Sequence, residues 1–358
     1  MKKTNVLIIL PSYSIGGAEK IALTYFNNFK NSKISLKLLV INSIAKADSI
    51  RDNRIIHLNF SRFIFSVPTL INILKKFKIK VVISTFPNIS AVLLILKRLK
   101  IINNRIIVRQ PNVIEKSLNG TLKLFILRKL YKRLIKFANA VIVTSTFMRE
   151  EALKNKVEDK KIFIIRNPIN VQETRKNINP IRRGKDNIKL IFVGRLVKQK
   201  GIDRILHIFK ENHNIEITIV GDGVLKEKLI EKTKNLNIEK KVNFIGLKKN
   251  PYNLIAGADY LILPSRWEGL PNCVLESLAL GTPVLSTKEV KSLIDFKKNI
   301  SNKSILLFDS IKELSNQVNM LKKRKDHLNP QLRNSLLIDN ITPVSYNKRI
   351  NSIIFNVA

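Results

Sequence analysis

Four side chains in the second half of the sequence have types and spacings that suit a phosphorylated sugar. Glu268 and Glu276 stand eight positions apart in RWEGLPNCVLESLALGTPV, which runs from Arg266 to Val284. Arg195 and Lys200 occur in FVGRLVKQKG, Phe192 to Gly201. An arginine offers a planar fork and a lysine a compact charge, so together they can hold a diphosphate. If that diphosphate leaves, its growing charge makes the same two cations useful for catalysis as well as binding. A carboxylate placed like Glu276 can accept both hydroxyls of a ribose, and a loop carboxylate such as Glu268 can meet a sugar. The helix start after Pro271 offers backbone N–H groups to phosphate. The set suits a nucleotide diphosphate sugar. Plainer readings exist for each member: solvated cations in a basic chain, and two acids favouring a helix N-terminus.

Two glycine turns are weaker signals. SIGGAEK (Ser14 to Lys20) lets the backbone at Gly16 and Gly17 approach a ligand at a helix N-terminus. It also reads as a tight turn with Glu19 offsetting the helix dipole. VGDGVLKEKL (Val220 to Leu229) reads mostly as a strand, a turn and a helix capped by Asp222. In the opening stretch, Asn272 is the expected N-cap, and Gly281 stands where a C′ glycine ends the helix before Thr282-Pro283.

The elements that must position these groups alternate along the chain. Apolar strand-like runs at Asn5–Leu10, Leu36–Ile41, Val81–Ser84, Ile106–Arg109 and Ala140–Thr144 are separated by helical periodicity. The helical segments fall at Ala18 onward, Val67–Phe77, Ala91–Leu99, Leu122–Phe137 and Arg149–Asn155. The polar stretch Asn167–Asn187, with its prolines, reads as a linker. The pattern then restarts with strands at Lys189–Gly194, Ile215–Gly221, Val242–Gly246, Tyr260–Pro264 and Pro283–Ser286. Helices are expected at Ile202–Phe209, Leu225–Asn235, Pro251–Ala256 and Cys273–Leu280. This is α/β, doubly wound twice over, with ligands expected at the carboxyl ends of strands in a cleft.

Length and charge narrow the function further. A chain of 358 residues suggests two domains. The net charge of +39 is spread: residues 1–175 hold 33 Lys and Arg against 9 Asp and Glu, and the remainder 32 against 17. With no zinc-ligand cluster and no aromatic-basic RNA signature, nucleic acid is not the expected partner. An anionic membrane surface or anionic substrate explains the basic first half as well. The basic amphipathic stretch Leu118–Phe137 is the candidate for membrane docking, and an ordinary helix packed on the sheet is its alternative. Cys273 is the single cysteine, which excludes an internal disulfide and fits a reducing compartment. MKKTNVLIILPSY reads as a first buried strand, because its apolar run Val6–Leu10 stops at Pro11. No segment has the length of a membrane span, so a cytoplasmic location is expected, peripheral at most on the inner membrane face.

The chain resembles the retaining glycosyltransferases of family 4, which have the two-lobed GT-B fold. The resemblance covers both halves. It rests on SIGGAEK, the Asn167-Pro168 of RNPIN, VGRLVKQKG, VGDG and the Glu268-to-Glu276 spacing. It implies two Rossmann-like domains facing each other across a cleft: residues 1–168 bind acceptor and residues 188–335 bind the nucleotide sugar. Residues 169–187 link them, and 336–358 form a C-terminal segment able to return to the first domain. By this resemblance Arg195, Lys200 and Glu268 are catalytic. Gly16, Gly17, Arg195, Lys200, Gly246, Gly269, Leu270, Pro271, Asn272, Cys273 and Glu276 bind donor. Such enzymes retain anomeric configuration and generally bind no metal or other cofactor, and no Asp-x-Asp motif occurs here. Where many members carry an acceptor-side histidine this chain has VRQPN, making Arg109 and Gln110 the acceptor-side candidates. His57, His207, His213 and His327 read as surface or structural. Asn139 replaces a common aspartate with a structural consequence only. STKEVKSLIDFKKN replaces a glycine-rich acidic loop.

The expected activity is transfer of a hexose or N-acetylhexosamine from a nucleotide-diphosphate sugar, UDP favoured, to a lipid-linked glycan of a bacterial surface polysaccharide (capsule, O-antigen or lipopolysaccharide). Two other classes remain: a nucleotide-sugar epimerase or hydrolase on the same fold, and a non-catalytic polyanion-binding protein.

Overall fold

The computed structural model describes residues 3–13, 16–42, 52–117, 121–181, 187–211, 214–298, 300, 304–318, 321, 335–337 and 341–358. His213 and His327 lie outside them, as do Ser14 and Ile15 of the first glycine loop. The chain divides into two compact units, Met1–Pro168 with Ile341–Ala358, and Ile169–Asn340.

The first unit is built on a seven-stranded sheet of β1 (Thr4–Ser12), β2 (Ile34–Asn42), β3 (Ile55–His57), β4 (Val81–Ser84), β5 (Arg105–Arg109), β6 (Ala140–Val143) and β7 (Ile162–Ile164) in the order β3-β2-β1-β4-β5-β6-β7. Each neighbouring pair is parallel. A parallel sheet buries both faces, so its strands run apolar without alternation. In β1, Leu7 and Ile9 feed one core while Val6, Ile8 and Leu10 feed the other. Pro11 does not end the strand. Pairing with β4 stops at Ile9, whereas pairing with β2 runs on to Ser12, so the missing N–H of Pro11 leaves no ladder bond toward β4 unmade. The helix Pro343–Val357 completes this unit. Tyr346, Ile350, Ile353 and Ile354 bury one of its faces against the Gly17–Asn27 helix. The Tyr25 hydroxyl donates to Asn351 Oδ1 at 2.8 Å, and Asn347 Nδ2 donates to the Asn28 carbonyl at 2.8 Å.

The second unit carries six strands: β8 (Ile188–Val193), β9 (Ile215–Val220), β10 (Val242–Gly246), β11 (Tyr260–Leu263), β12 (Val284–Thr287) and β13 (Ile305–Phe308), ordered β10-β9-β8-β11-β12-β13. Strand order reverses at β8/β11 here, as it does at β1/β4 in the first unit. Such switch points are where doubly wound sheets bind ligands, at the carboxyl ends.

Two expected elements differ. The stretch read as a linker holds a helix, Val171–Arg175, capped by the Asn170 side chain and belonging to the second unit. Asn170 Oδ1 accepts from Glu173 N at 3.1 Å, a cap that five residues of helix conceal from any periodicity. The helix expected over Ile202–Phe209 is broken into a 3₁₀ turn, Ile202–Arg204, and a short helix, Ile208–Glu211. Its apolar residues are all buried, but ion pairs to two other loops, after β11 and after β12, draw Asp203 and Arg204 away from a continuous helix.

Gly201 fixes the entry to that turn. It adopts φ 70°, ψ 14°, and a Cβ there would lie 2.1 Å from the Pro264 carbonyl oxygen. Gly201→Ala therefore combines left-handed strain with a backbone clash. It should destabilise the second unit by about 3 kcal/mol, read from denaturant unfolding followed by the fluorescence of Trp267, the chain's single tryptophan.

Candidate active site

The site of the second unit starts where β8 ends. Gly194 and Arg195 follow the strand, and Lys200 returns over it. A Cβ on Gly194 would stand 3.4 Å from Lys200 Cε, so the lysine stem lies across the glycine. The Lys200 ammonium meets Glu268 Oε1 at 2.6 Å, with both side chains nearly buried. The same carboxylate accepts from Ser265 Oγ at 3.1 Å and, on Oε2, from Gln199 Nε2 at 3.3 Å. Burial alone would push the Lys200 ammonium down. The Glu268 carboxylate outweighs it and holds Lys200 above the usual lysine value, despite the opposing charge of Arg195. Arg195 keeps its side chain exposed beside this pair.

The loop carrying Glu268 is fastened to the segment carrying Lys200 by backbone and charge together. Arg266 N donates to the Gln199 carbonyl at 2.8 Å, and Gln199 Nε2 donates to the Trp267 carbonyl at 3.1 Å. The Arg266 guanidinium makes a two-pronged pair with Asp203, at 3.0 and 2.7 Å. Burial raises the Asp203 carboxyl, but the Arg266 hydrogen bond and charge outweigh that and hold it below its usual value. Arg204 makes a second two-pronged pair, with Glu289, at 2.9 and 2.5 Å. Planar forks of this kind fix direction as well as distance. The sequence reading missed Gln199, Asp203, Arg204, Ser265 and Arg266. A signal was present in Asp203-Arg204, two charges immediately after Gly201-Ile202 in a segment otherwise apolar.

The helix of the opening stretch runs Asn272–Ala279. Asn272 is its first residue rather than its N-cap. Pro271 takes the cap, with φ −69° and ψ 130° in the extended region and no side-chain hydrogen bond. The proline ring holds φ near that value, and with Pro271 at the cap the helix starts one residue earlier than the cap preference of asparagine suggests. The C-terminal end is as expected: Gly281 has φ 76°, Thr282 N bonds the Ser277 carbonyl at 2.8 Å, and Gly281 N the Leu278 carbonyl at 3.0 Å. Arg175, from the supposed linker, donates to the Ala279 carbonyl at 2.9 Å, a cation at the negative helix end. Gly269, Leu270, Pro271, Cys273 and Glu276 are all buried here. The Cys273 thiol is pushed up to about 12 by burial, with the Lys200, Glu268 and Glu276 charges all felt at its sulfur. Lys200, Glu268, Cys273 and Glu276 thus converge around the helix start, with Arg195 beside them.

The other strand ends close against this floor. Gly221 has φ 149°, and a Cβ on it would lie 1.9 Å from the Gly194 carbonyl oxygen. Gly221 N donates to the Gly246 carbonyl at 2.9 Å, and Gly246 has φ 77° with open space where a Cβ would stand. Asp222 does not cap the following helix. Its Oδ1 accepts from Gly223 N at 2.7 Å, and the helix starts at Lys226 after Leu225. Asp222 instead makes a tight turn with its own neighbour. The segment STKEVKSLIDFKKN forms the helix Lys291–Lys297, and its Glu289 is the partner of Arg204.

The remaining candidates belong to the first unit. Gly16 precedes the Gly17–Asn27 helix as N-cap, and Glu19 lies in its first turn with its carboxylate against Gly16. Arg109 and Gln110, at the carboxyl end of β5, are buried, and Arg109 Nη2 donates to Asn167 Oδ1 at 2.6 Å. Asn139 Oδ1 accepts from Ile106 N at 2.9 Å and from Lys97, a structural place. His207 is exposed and meets Ser315 Oγ at 3.3 Å, and His57 packs its ring near Tyr13.

Residues 16–173 match the family described as Glycosyltransferase Family 4, and residues 172–335 match Glycosyl transferases group 1. The chain belongs to this family of glycosyltransferases, and its two parallel-sheet units are those of the GT-B fold. Among solved structures it is similar to Anabaena HepE in complex with UDP and glucose, with a TM-score of 0.77 at 14% identity, covering 99% of this chain and 100% of that one. An uncharacterized glycosyltransferase of Methanocaldococcus jannaschii is 32% identical over 240 residues, 61% of this chain and 58% of the relative. The N-acetylgalactosamine-N,N'-diacetylbacillosaminyl-diphospho-undecaprenol 4-alpha-N-acetylgalactosaminyltransferase of Campylobacter jejuni is 28% identical over 173 residues, 48% of this chain and 46% of the relative. The chain thus spans about half the length of these curated relatives.

Removing one member of a buried ion pair leaves the other charge uncompensated, at about 3–5 kcal/mol. Lys200→Met should therefore destabilise the second unit by about 3 kcal/mol, and Lys200→Met with Glu268→Gln should recover most of the loss. A double-mutant cycle on denaturant unfolding, read at Trp267, measures this coupling. Additive single effects would remove the pair from the fold's essential contacts.

Proposed function

We propose that the protein is a retaining glycosyltransferase that moves a hexose or N-acetylhexosamine from a nucleotide-diphosphate sugar, UDP favoured, to a lipid-linked glycan of a bacterial surface polysaccharide. The observation that carries this reading is the convergence of Lys200, Glu268 and Glu276 at the start of the Asn272–Ala279 helix, with Arg195 exposed beside them. Arg195 and Lys200 hold the diphosphate together with the helix N-terminus, supplying the charge that a metal would otherwise bring. Glu276 accepts the ribose hydroxyls, and Glu268 directs Lys200 while facing the transferred sugar. The sugar–diphosphate bond breaks, the nucleotide leaves with the electron pair, and the acceptor hydroxyl adds on the same face. Its proton passes to the departing phosphate. UDP is favoured because the similar Anabaena structure binds it. A lipid-linked acceptor is favoured because the Campylobacter relative is named for a diphospho-undecaprenol substrate.

The helix Leu122–Leu134 supports contact with an anionic membrane. It buries Tyr131 and Leu134, while Leu122, Phe125, Ile126 and Leu130 are exposed at helical spacing, among exposed Lys123, Lys129 and Arg133. Apolar side chains flanked by cations match a headgroup boundary. No helix of the described residues is long and apolar enough to cross a membrane.

Thermal unfolding with UDP, GDP, ADP and CMP, each with and without EDTA, tests the donor site. One nucleotide should stabilise the protein by about 2.7 kcal/mol at a hundredfold excess over Kd, unaffected by EDTA and lost in Glu276→Ala. A donor turned over equally fast without any acceptor glycan would favour an epimerase or hydrolase. No stabilisation by any nucleotide would favour a binding protein. For the membrane, sedimentation with phosphatidylglycerol vesicles should fall at least tenfold in Phe125→Asp/Ile126→Asp and in 0.5 M salt. Unchanged binding would return this helix to an ordinary surface role.

A further inference from the structure

The first unit holds a buried cation whose charge no described residue offsets. Arg109, at the carboxyl end of β5, is 4% exposed. One of its nitrogens, Nη2, donates to the neutral Asn167 Oδ1 at 2.6 Å, while Nε and Nη1 are buried with no hydrogen-bond partner. A guanidinium stays protonated throughout, so it cannot escape this burial by neutralising. Native folds pair buried donors, and a buried charge above all.

The acid that meets the neighbouring Gln110 is committed elsewhere. Glu151 Oε2 accepts from Gln110 Nε2 and from Ile114 N, both at 2.9 Å, and Oε1 accepts from Glu115 N at 2.9 Å. Its three bonds hold the turn that follows Arg109. Gln110 spends its amide hydrogens on Glu151 and on the Asn112 carbonyl at 3.2 Å, which leaves its buried Oε1 with no donor. Two unmatched donors of a fixed cation and one unmatched acceptor stand on consecutive residues. Beside them runs β4, which borders the β1/β4 point where strand order reverses. That is where a doubly wound sheet takes its ligand.

We infer that Arg109 binds an anionic oxygen group of the acceptor, a phosphate or a carboxylate, with Gln110 Oε1 receiving a neighbouring hydroxyl. The assignment of this anion to the acceptor rests on the transferase reading; its binding at Arg109 does not. The anion can be the diphosphate of a lipid-linked glycan or the carboxylate of a uronic acid. Both give planar or tripodal oxygens that match a guanidinium better than an ammonium.

Isothermal titration of the full chain, with UDP saturating, separates the two sources. Inorganic pyrophosphate is the first probe and glucuronate the second. Wild type should bind one of them. Arg109→Met should lose at least tenfold in affinity for it, with Arg109→Lys between the two. Pyrophosphate binding identifies a lipid diphosphate, and glucuronate binding an acidic sugar. Equal binding by wild type and Arg109→Met, or no binding of either anion by wild type, overturns the inference. If Arg109→Met does not fold, the Arg109 Nε–H resonance of wild type, assigned by its absence in Arg109→Lys, must move on titration. An unmoved resonance also overturns it. Failure of UDP to bind is a separate result: it removes the donor reading and leaves the Arg109 comparison standing.

Discussion

A lysine can be drawn into a protein interior only if something fixes its charge there, and the second unit is arranged around meeting that demand. Lys200 is brought back over its own strand by the left-handed turn at Gly201, which is possible because Gly201 presents no side chain to the Pro264 carbonyl. Glu268 reaches it from the next strand's loop, and Ser265 and Gln199 fix the carboxylate. The pair therefore ties the ends of β8 and β11, the two strands at the switch point, into one floor. Everything else in the site is placed relative to that floor: the Asn272–Ala279 helix behind it, and the stacked glycines Gly194, Gly221 and Gly246 beside it.

Around this pair lies a ring of more exposed ones. Asp203–Arg266 and Arg204–Glu289 join the turn after Gly201 to two other loops, those that follow β11 and β12, each through a planar fork. Partly exposed pairs add little stability one at a time. Their contribution here is direction, since each fork fixes the angle at which one loop meets the other. A buried pair sets which residues touch, and the outer pairs set how tightly they are held.

Much of this arrangement was legible in the sequence, and the reasons are local. Glu268 and Glu276 stood out because a helix start has no structural need for both. Arg195 and Lys200 stood out because they follow an apolar strand with glycines on either side, and Gly281 because a helix end before proline asks for a left-handed residue. The misreadings were tertiary. Periodicity marked Ile202–Phe209 as a helix because its apolar residues are indeed buried, but it could not show that Asp203 and Arg204 are held by residues more than sixty positions away. Residues 171–175 were hidden for the opposite reason: a helix of five residues is too short to have a period, and its purpose, Arg175 at another helix's end, lies across the fold. Asn272 has the chemistry of a cap, yet Pro271, extended at ψ 130°, takes that position and leaves Asn272 as the first helical residue.

The helix Pro343–Val357 belongs to the first unit although the whole second unit, 169–340, lies between it and its partners. Tyr25 and Asn351 bond across 326 positions of sequence. The second unit is in this sense an insertion, contiguous and able to close its core from local sequence alone. The first cannot. During synthesis its first helix must wait, with Tyr25 and the apolar face beside it open to water, until residues 343–357 have emerged. The last element of the first unit is thus made after the whole of the second, and its packing on the Gly17–Asn27 helix can be completed only once the second unit's residues have been synthesised.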